Sequence, residues 1–324
     1  MLRRLQDAWP TTRFTWVIGR FEQRLMSLLP DVEFISYDKR GGLAEIRRLR
    51  GALKGRRFDV LLHMQIALRA SLVSTLIRAP LRLGFDLRRG RELQWLFTNA
   101  RILDRGDEHV LDGLMGFADA LGVEATAPRW DLPLPAPALA YAARVLPDAR
   151  PTLLVSACSS HALRNWRPER YAAVADHAAA AHGMRVVLCG GPGATERSMA
   201  DAILGQARLP LVDQVGKDTL PELLALMSRA TAIVTPDSGP AHMATLVGLP
   251  VIGLYAATNP ARSGPYLSRT HCVDRYGEAA RTFLGREPHD LPWATKIEKP
   301  GVMDLITTAD VVACLDRLMA ARAC

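Results

Sequence analysis

With 324 residues, 49% of them apolar and 23% charged, the chain has the proportions of a soluble globular protein and enough length for two domains, each with its own core. No apolar run approaches the roughly 20 residues that span a bilayer, and five scattered cysteines without a CxxC pair argue against a disulfide framework or structural zinc. The net charge of +8 implies anionic partners or a well-solvated surface. Since no nucleic-acid module accompanies it, a phosphorylated sugar lipid or an anionic membrane face fits at least as well as nucleic acid.

The opening residues MLRRLQDAWP are too polar for a secretory signal, so the expected location is cytoplasmic. Residues 2–8 read as a helix closed by Trp9-Pro10. Strands are predicted at 14–19, 33–37, 60–63 and 81–85, alternating with helices at 21–28, 43–53 and 69–77. Such alternation means a parallel doubly wound sheet. The helix at 43–53 should bury Leu43, Ile46, Leu49 and Leu53. It sits in a basic run of Lys39, Arg40, Arg47, Arg48, Arg50, Lys54, Arg56 and Arg57. A solvated face is the default for that run; a surface for anionic lipid head groups on the inner face of the membrane is the sharper alternative. Asp107, Glu108 and His109 precede a helix at 110–121.

Residues 131–137 (DLPLPAP) cannot sustain a central strand and read as a stiff linker. The domains are therefore drawn at 1–138 and 139–300, with a last helix ending near 321 inside a terminal segment, 301–324. Beyond the linker, strands are predicted at 153–156, 184–189, 211–213, 232–235 and 251–254, with another at 271–273. Helices follow from Pro168, Glu196 and Leu220. The glycine cluster Gly190-Gly191-Pro192-Gly193 is not GxGxxG, so no dinucleotide fingerprint is supported. Eight histidines show no metal-ligand spacing, and no cofactor is expected.

The stretch AIVTPDSGPAHMATLVGLPVIGLY, residues 232–255, organises this half. A short apolar strand meets Pro236-Asp237-Ser238-Gly239, and Pro240 stands where a first helical turn tolerates proline. The helix stops at Gly248, and Val251 opens the next strand. In such a unit ligands sit at the carboxyl ends of the strands, where a helix N-terminus offers unpaired N–H groups to an anion. Asp237 supplies a carboxylate, Ser238 a hydroxyl, Gly239 close approach to the backbone, and His242 lies in the first turn. The competing reading is that Asp237 and Ser238 merely cap the helix.

TPDSGPAHMA, followed by GLPVIGLYAATNP and SGPY, resembles the donor-site signature of the heptosyltransferases of glycosyltransferase family 9. The resemblance implies two Rossmann-like doubly wound parallel-sheet domains facing a cleft, of the GT-B type, with the final helix packed back on the first domain. It implies transfer of heptose from ADP-heptose to the inner core of lipopolysaccharide. Family members open with a strand and a Gly-Asp loop that carries the proposed general base; nothing before Leu2 matches either, so the first strand is expected to be missing. Ser159, Ser160 and Trp166 match a family loop in which Arg164 replaces a lysine. Arg164 is thus the residue expected to stabilise the leaving diphosphate. Glu196 matches a ribose contact, Lys217 lies where the nucleobase is wrapped, and Asp237, Ser238, Gly239, Pro240 and His242 fall within the donor-contacting motif. His109 resembles a family histidine, although a capping or packing role suits it equally. The reaction implied is inverting and metal-independent. Two other readings stand beside it: a nucleotide-sugar-binding remnant without its base, and another nucleotide-sugar enzyme such as an epimerase.

Overall fold

A computed structural model describes residues 1–323. The chain forms two compact units that divide between Arg129 and Trp130. Residues 131–137, read above as an interdomain linker, therefore go with the second unit.

The first unit opens with helix α1 (Leu2–Ala8), followed by β1 (Phe14–Gly19), α2 (Arg20–Met26), β2 (Val32–Tyr37), α3 (Gly42–Leu53) and β3 (Val60–Leu62). Then come α4 (Leu68–Ser74), β4 (Leu81–Gly84), β5 (Ala100–Arg101) and α5 (Val110–Ala120). All pairings are parallel, but one continuous sheet does not form: β1 pairs with β2, and separately β3, β4 and β5 lie in that order. Among the described residues, β1 and β3 each have a single strand neighbour. Their side chains are accordingly only half-buried, with Trp16 in β1 exposed. Arg4 ties α1 to the end of α5 through an ion pair with Asp119 at 2.6 Å and a hydrogen bond donated to the Glu124 carbonyl at 2.6 Å.

Helix α3 buries Leu49 and Leu53 against Ile35. Leu43 and Ile46, expected on that same face, are exposed at 71% and 36%. The buried position between them is taken by Glu45, which accepts hydrogen bonds from the Arg48 guanidinium and from the Asp38 amide. The basic run is thus partly neutralised from within, since Arg56 likewise pairs with Glu33. Arg40, Arg47, Arg50 and Lys54 remain exposed.

The second unit contains α6 (Ala136–Val145), β6 (Thr152–Val155), α7 (Pro168–His182), β7 (Arg185–Leu188), α8 (Ala194–Gln206), β8 (Val212–Asp213) and α9 (Leu220–Arg229). It continues with β9 (Ala232–Pro236), α10 (Gly239–Thr245), β10 (Val251–Tyr255), α11 (Pro260–Ser263), β11 (Val273–Asp274), α12 (Tyr276–Leu284) and α13 (Thr308–Ala323). Its six strands form one parallel sheet in the order β11-β10-β9-β6-β7-β8. Every residue of β6, β9 and β10 is buried, as expected when helices cover both faces of a parallel sheet.

Three helices here were not predicted: α6, α12 and the four-residue α11. Helix α6 packs on α9 through Ala138 and Ala142, and its proline stands in the first turn, where a missing N–H costs nothing. Helix α12 buries Tyr276, Ala279 and Ala280. The last helix packs on α7, β10 and β11 of its own unit. Its apolar stripe of Val311, Cys314, Leu315 and Leu318 is consumed in the core there.

Candidate functional site

Chain order within the second sheet reverses between β6 and β9. Connections leave these neighbours in opposite directions, which opens a crevice at their carboxyl ends, the place where open α/β sheets bind ligands. The two strands run in parallel register, Leu153 opposite Ala232 and Val155 opposite Val234. The segments leaving them, 156–167 and 237–238, are the two loops singled out in the sequence.

The first loop is braced at both ends. Asn165 accepts the Ser159 amide at 2.7 Å, and Trp166, 1% exposed, donates its indole N–H to the Ile306 carbonyl at 2.9 Å. Its ring meets Tyr171 edge-on at 5.0 Å. Between these anchors a single 3-10 turn, Ala162–Arg164, aims Arg164 at the second loop. The guanidinium donates from Nη1 to Asp237 Oδ2 at 3.3 Å, and from Nε and Nη2 to Glu298 Oε1 at 2.9 and 2.7 Å. The three side chains are 14%, 12% and 22% exposed, so the bonds form with little solvent screening. Two of the five guanidinium N–H groups are left for another acceptor.

Histidines flank this group on both sides. His161 Nε2 lies 3.4 Å from Glu298 Oε2, and His242 Nε2 lies 3.9 Å from Asp237 Oδ1. Burial depresses the His242 pKa and the Asp237 charge only partly restores it. Burial disfavours the ionised form of Glu298, but the Arg164 hydrogen bond and charge outweigh that and hold its pKa below the ordinary value.

The second loop does not make the helix cap of the competing reading. Ser238 occupies the N-cap position of α10 in an extended conformation, yet its side chain makes no capping hydrogen bond. Its hydroxyl lies 2.9 Å from Thr235 Oγ1, while the Asp237 carboxylate is spent on Arg164. A Cβ added to Gly239 would meet nothing within 4 Å, so the backbone there is open to an approaching group. Pro240 follows in the first turn and contributes no N–H. Ser159, Arg164, Asp237, Ser238, Gly239, Pro240 and His242 thus gather around the β6 and β9 ends, with Ser160 exposed on the first loop.

Glu196 and Lys217 belong to the neighbouring strand ends. Glu196, in the first turn of α8, folds back over the glycine loop after β7; a Cβ on Gly193 would fall 2.3 Å from its Oε2. Together with Cys158, Met199 and Val215 it lines a hollow beyond β6 and β7. Burial and the Glu196 charge push the Cys158 thiol up to about 11, which makes it inert as a nucleophile at neutral pH. Lys217 turns its ammonium onto its own loop, donating to the Asp213 carbonyl at 2.6 Å. Next to it, burial and then Glu222 raise the Asp218 carboxyl to about 7, and its buried Oδ2 has no hydrogen-bond partner. His109 is a helix cap, its Nδ1 accepting the Leu111 amide at 3.1 Å.

Sequence reasoning missed Glu298. It comes from the proline-bearing loop before α13 and lies 134 positions from the arginine it orients. No short-range pattern marks it. Also unmarked was a cluster away from this crevice. His177, His182 and Asp316 are, among the described residues, the one group of three side chains whose metal-ligating atoms all lie within 4.8 Å of one another.

The profile of glycosyltransferase family 9 (heptosyltransferase) matches residues 46–289. The lipopolysaccharide core heptosyltransferase OpsX of Haemophilus influenzae is 39% identical over 318 residues, covering 98% of this chain and 91% of the relative. A glycosyl transferase family 9 structure from Veillonella parvula superposes with a TM-score of 0.79 at 23% identity, covering 99% of this chain and 92% of the other. The structure of Escherichia coli ADP-heptose lps heptosyltransferase II does so with a TM-score of 0.72 at 21% identity, covering 99% and 94%. These two likenesses establish a shared two-unit α/β fold. On the strength of the profile and the full-length relative, the chain is a member of glycosyltransferase family 9.

Proposed function

We propose that this glycosyltransferase moves heptose from ADP-heptose to the lipopolysaccharide inner core, with inversion and without a metal ion in the donor site. The observation that carries the reading is the bridging guanidinium of Arg164, fixed by Asp237 and Glu298 beside the open backbone at Gly239. As the sugar passes to the acceptor the nucleoside diphosphate departs, and the negative charge developing on it needs positive charge already in place. Arg164 supplies a rigid cation with free N–H groups aimed from a braced loop. Ser159, Ser160 and Ser238 add hydroxyls, and Glu196, over the glycine loop after β7, is the carboxylate this reading assigns to the ribose. Lys217, held by Asp213, shapes the neighbouring loop rather than reaching for phosphate. The full-length relative is named for transfer to lipopolysaccharide core, which supports that acceptor class.

Transfer also requires a carboxylate to take the proton of the attacking hydroxyl. Asp237 is not that base, because it is held by Arg164 on the phosphate side. Peripheral contact with an anionic inner-membrane surface is part of the same reading. Exposed Phe21, Leu43 and Ile46 accompany the exposed basic residues of α3, a combination suited to lying on acidic lipid. The test is release of ADP from ADP-heptose in the presence and absence of a heptose-free core acceptor. Acceptor-dependent release that falls in Arg164→Ala is expected; acceptor-independent release of free sugar, or none with either donor or acceptor varied, refutes the proposal.

A further inference from the structure

The imidazoles of His177 and His182, near and at the C-terminal end of α7, converge on one carboxylate oxygen of α13. Nε2 of His177 lies 2.7 Å from Asp316 Oδ1, and Nε2 of His182 lies 2.6 Å from the same atom. The two rings are themselves 5.5 Å apart and nearly perpendicular, so their Nε2 atoms approach that oxygen from different directions. Both histidine side chains are mostly covered, at 30% and 20% exposure, whereas Asp316 is 46% exposed and keeps one side of the cluster open to water. Hydrogen bonds from both histidines hold the Asp316 pKa below the ordinary value.

We propose that His177, His182 and Asp316 form a binding site for a divalent transition-metal ion of the zinc class. Two imidazole nitrogens and one carboxylate oxygen are a ligand set zinc uses, with water completing the tetrahedron. A zinc ion with bonds of about 2.0–2.2 Å sets its ligand atoms roughly 3.3 Å apart. The two nitrogen–oxygen separations would therefore open by about 0.6 Å, which rotation of the half-exposed Asp316 side chain allows. Each imidazole would carry its proton on Nδ1 and give the Nε2 lone pair to the ion. The ionised carboxylate leaves the loaded cluster one positive charge. Since two ligands come from α7 and one from α13, the ion would staple the last helix to the helix that starts beside Arg164. At 15 residues α7 is about 22 Å long, so the ion sits a helix length away from the donor crevice and takes no part in its chemistry. The inference is independent of the functional reading above.

The test is titration of chelator-stripped, untagged protein with Zn2+ by calorimetry and with Co2+ by visible absorption. One equivalent should bind, with the d–d bands of a four-coordinate Co2+ ion and without the thiolate charge-transfer band that the cysteines would give. Zn2+ at 100 times its dissociation constant should raise Tm by roughly 5 °C. His182→Gln and Asp316→Asn should each weaken binding at least about 100-fold, the upper range for loss of even an outer partner of a ligand. His182→Gln keeps a side chain able to donate to Asp316, and Tm without metal checks that both variants fold. Absence of stoichiometric binding, a thiolate spectrum, or wild-type affinity in both folded variants overturns the site and leaves only a hydrogen-bonded clip. Should a variant not fold, the Co2+ spectrum of the unaltered protein decides.

Discussion

Replacing Arg164 by alanine separates the two jobs given to that side chain. In the folded protein it compensates Asp237 and Glu298, whose side chains are only 12% and 22% exposed. Removing one partner of such a group leaves buried charge unpaired, and a loss of about 1–3 kcal/mol in stability is expected, below the 3–5 kcal/mol of a fully buried pair. Because Arg164 holds the Glu298 pKa below its ordinary 4.5, that stabilisation is complete above pH 4.5 and disappears as pH falls through the lowered value. Wild type and variant should therefore converge in acid. In the donor complex Arg164 offers its two remaining N–H groups to the diphosphate. Charged hydrogen bonds contribute about 1.5–3 kcal/mol each, so ADP affinity should fall by roughly 100-fold or more. Arg164→Lys keeps a charge but loses the fork that fixes it between two carboxylates, and it should fall between the two. Calorimetric titration with ADP, done beside urea denaturation at pH 7 and pH 4, reads both effects. A variant that loses stability as described but binds ADP within about threefold of wild type would refute the donor assignment, since RT ln 3 is under 1 kcal/mol.

Asp218→Asn should stabilise the second unit in a pH-dependent way. The folded carboxyl keeps its proton to about pH 7 against 3.8 in the unfolded chain, so wild-type stability falls as pH rises between those values and is level above them. The variant should gain roughly 2 kcal/mol at pH 8 and little at pH 4, after discounting for incomplete burial; an equal effect at both would contradict it. Trp166→Ala should cost about 3–5 kcal/mol in urea denaturation, through the cavity left and the lost indole hydrogen bond to the Ile306 carbonyl. A loss under 1 kcal/mol would show that the loop is not anchored there. Amide exchange should be orders of magnitude faster in β1 and β3 than in β9 and β10, since the first pair has one strand neighbour each and half-buried side chains. Equal protection would mean that the split sheet does not describe the protein in solution.

The second unit was the more legible in sequence, and burial explains why. Its strands are short apolar runs because helices cover both faces, and their ends are punctuated by glycine and proline at residues 236–240 and 248–250. In the first unit the runs at β1 and β3 announce strands but not partners, so nothing in them foretold two separate sheets. Pro135 and Pro137 disguised α6 as linker, although proline in a first turn is compatible with a helix. Leu43 and Ile46 satisfy helical spacing yet stay exposed, because Glu45 takes the inward position through its own hydrogen bonds. In the candidate site, the motif located Asp237 to His242 and the loop at Arg164. What joins them could not be read: Glu298 lies 134 positions from Arg164, and Asp316 is 139 from His177. Contacts at that separation are made by the fold, not by any local pattern.

The most direct test of the donor site is an experimental structure of this chain with ADP bound. The diphosphate should lie within hydrogen-bond distance of Arg164 Nη1 or Nη2 and against the open backbone at Gly239, between the ends of β6 and β9. A nucleotide seated elsewhere on the chain, with Arg164 still engaged only by Asp237 and Glu298, would contradict the account.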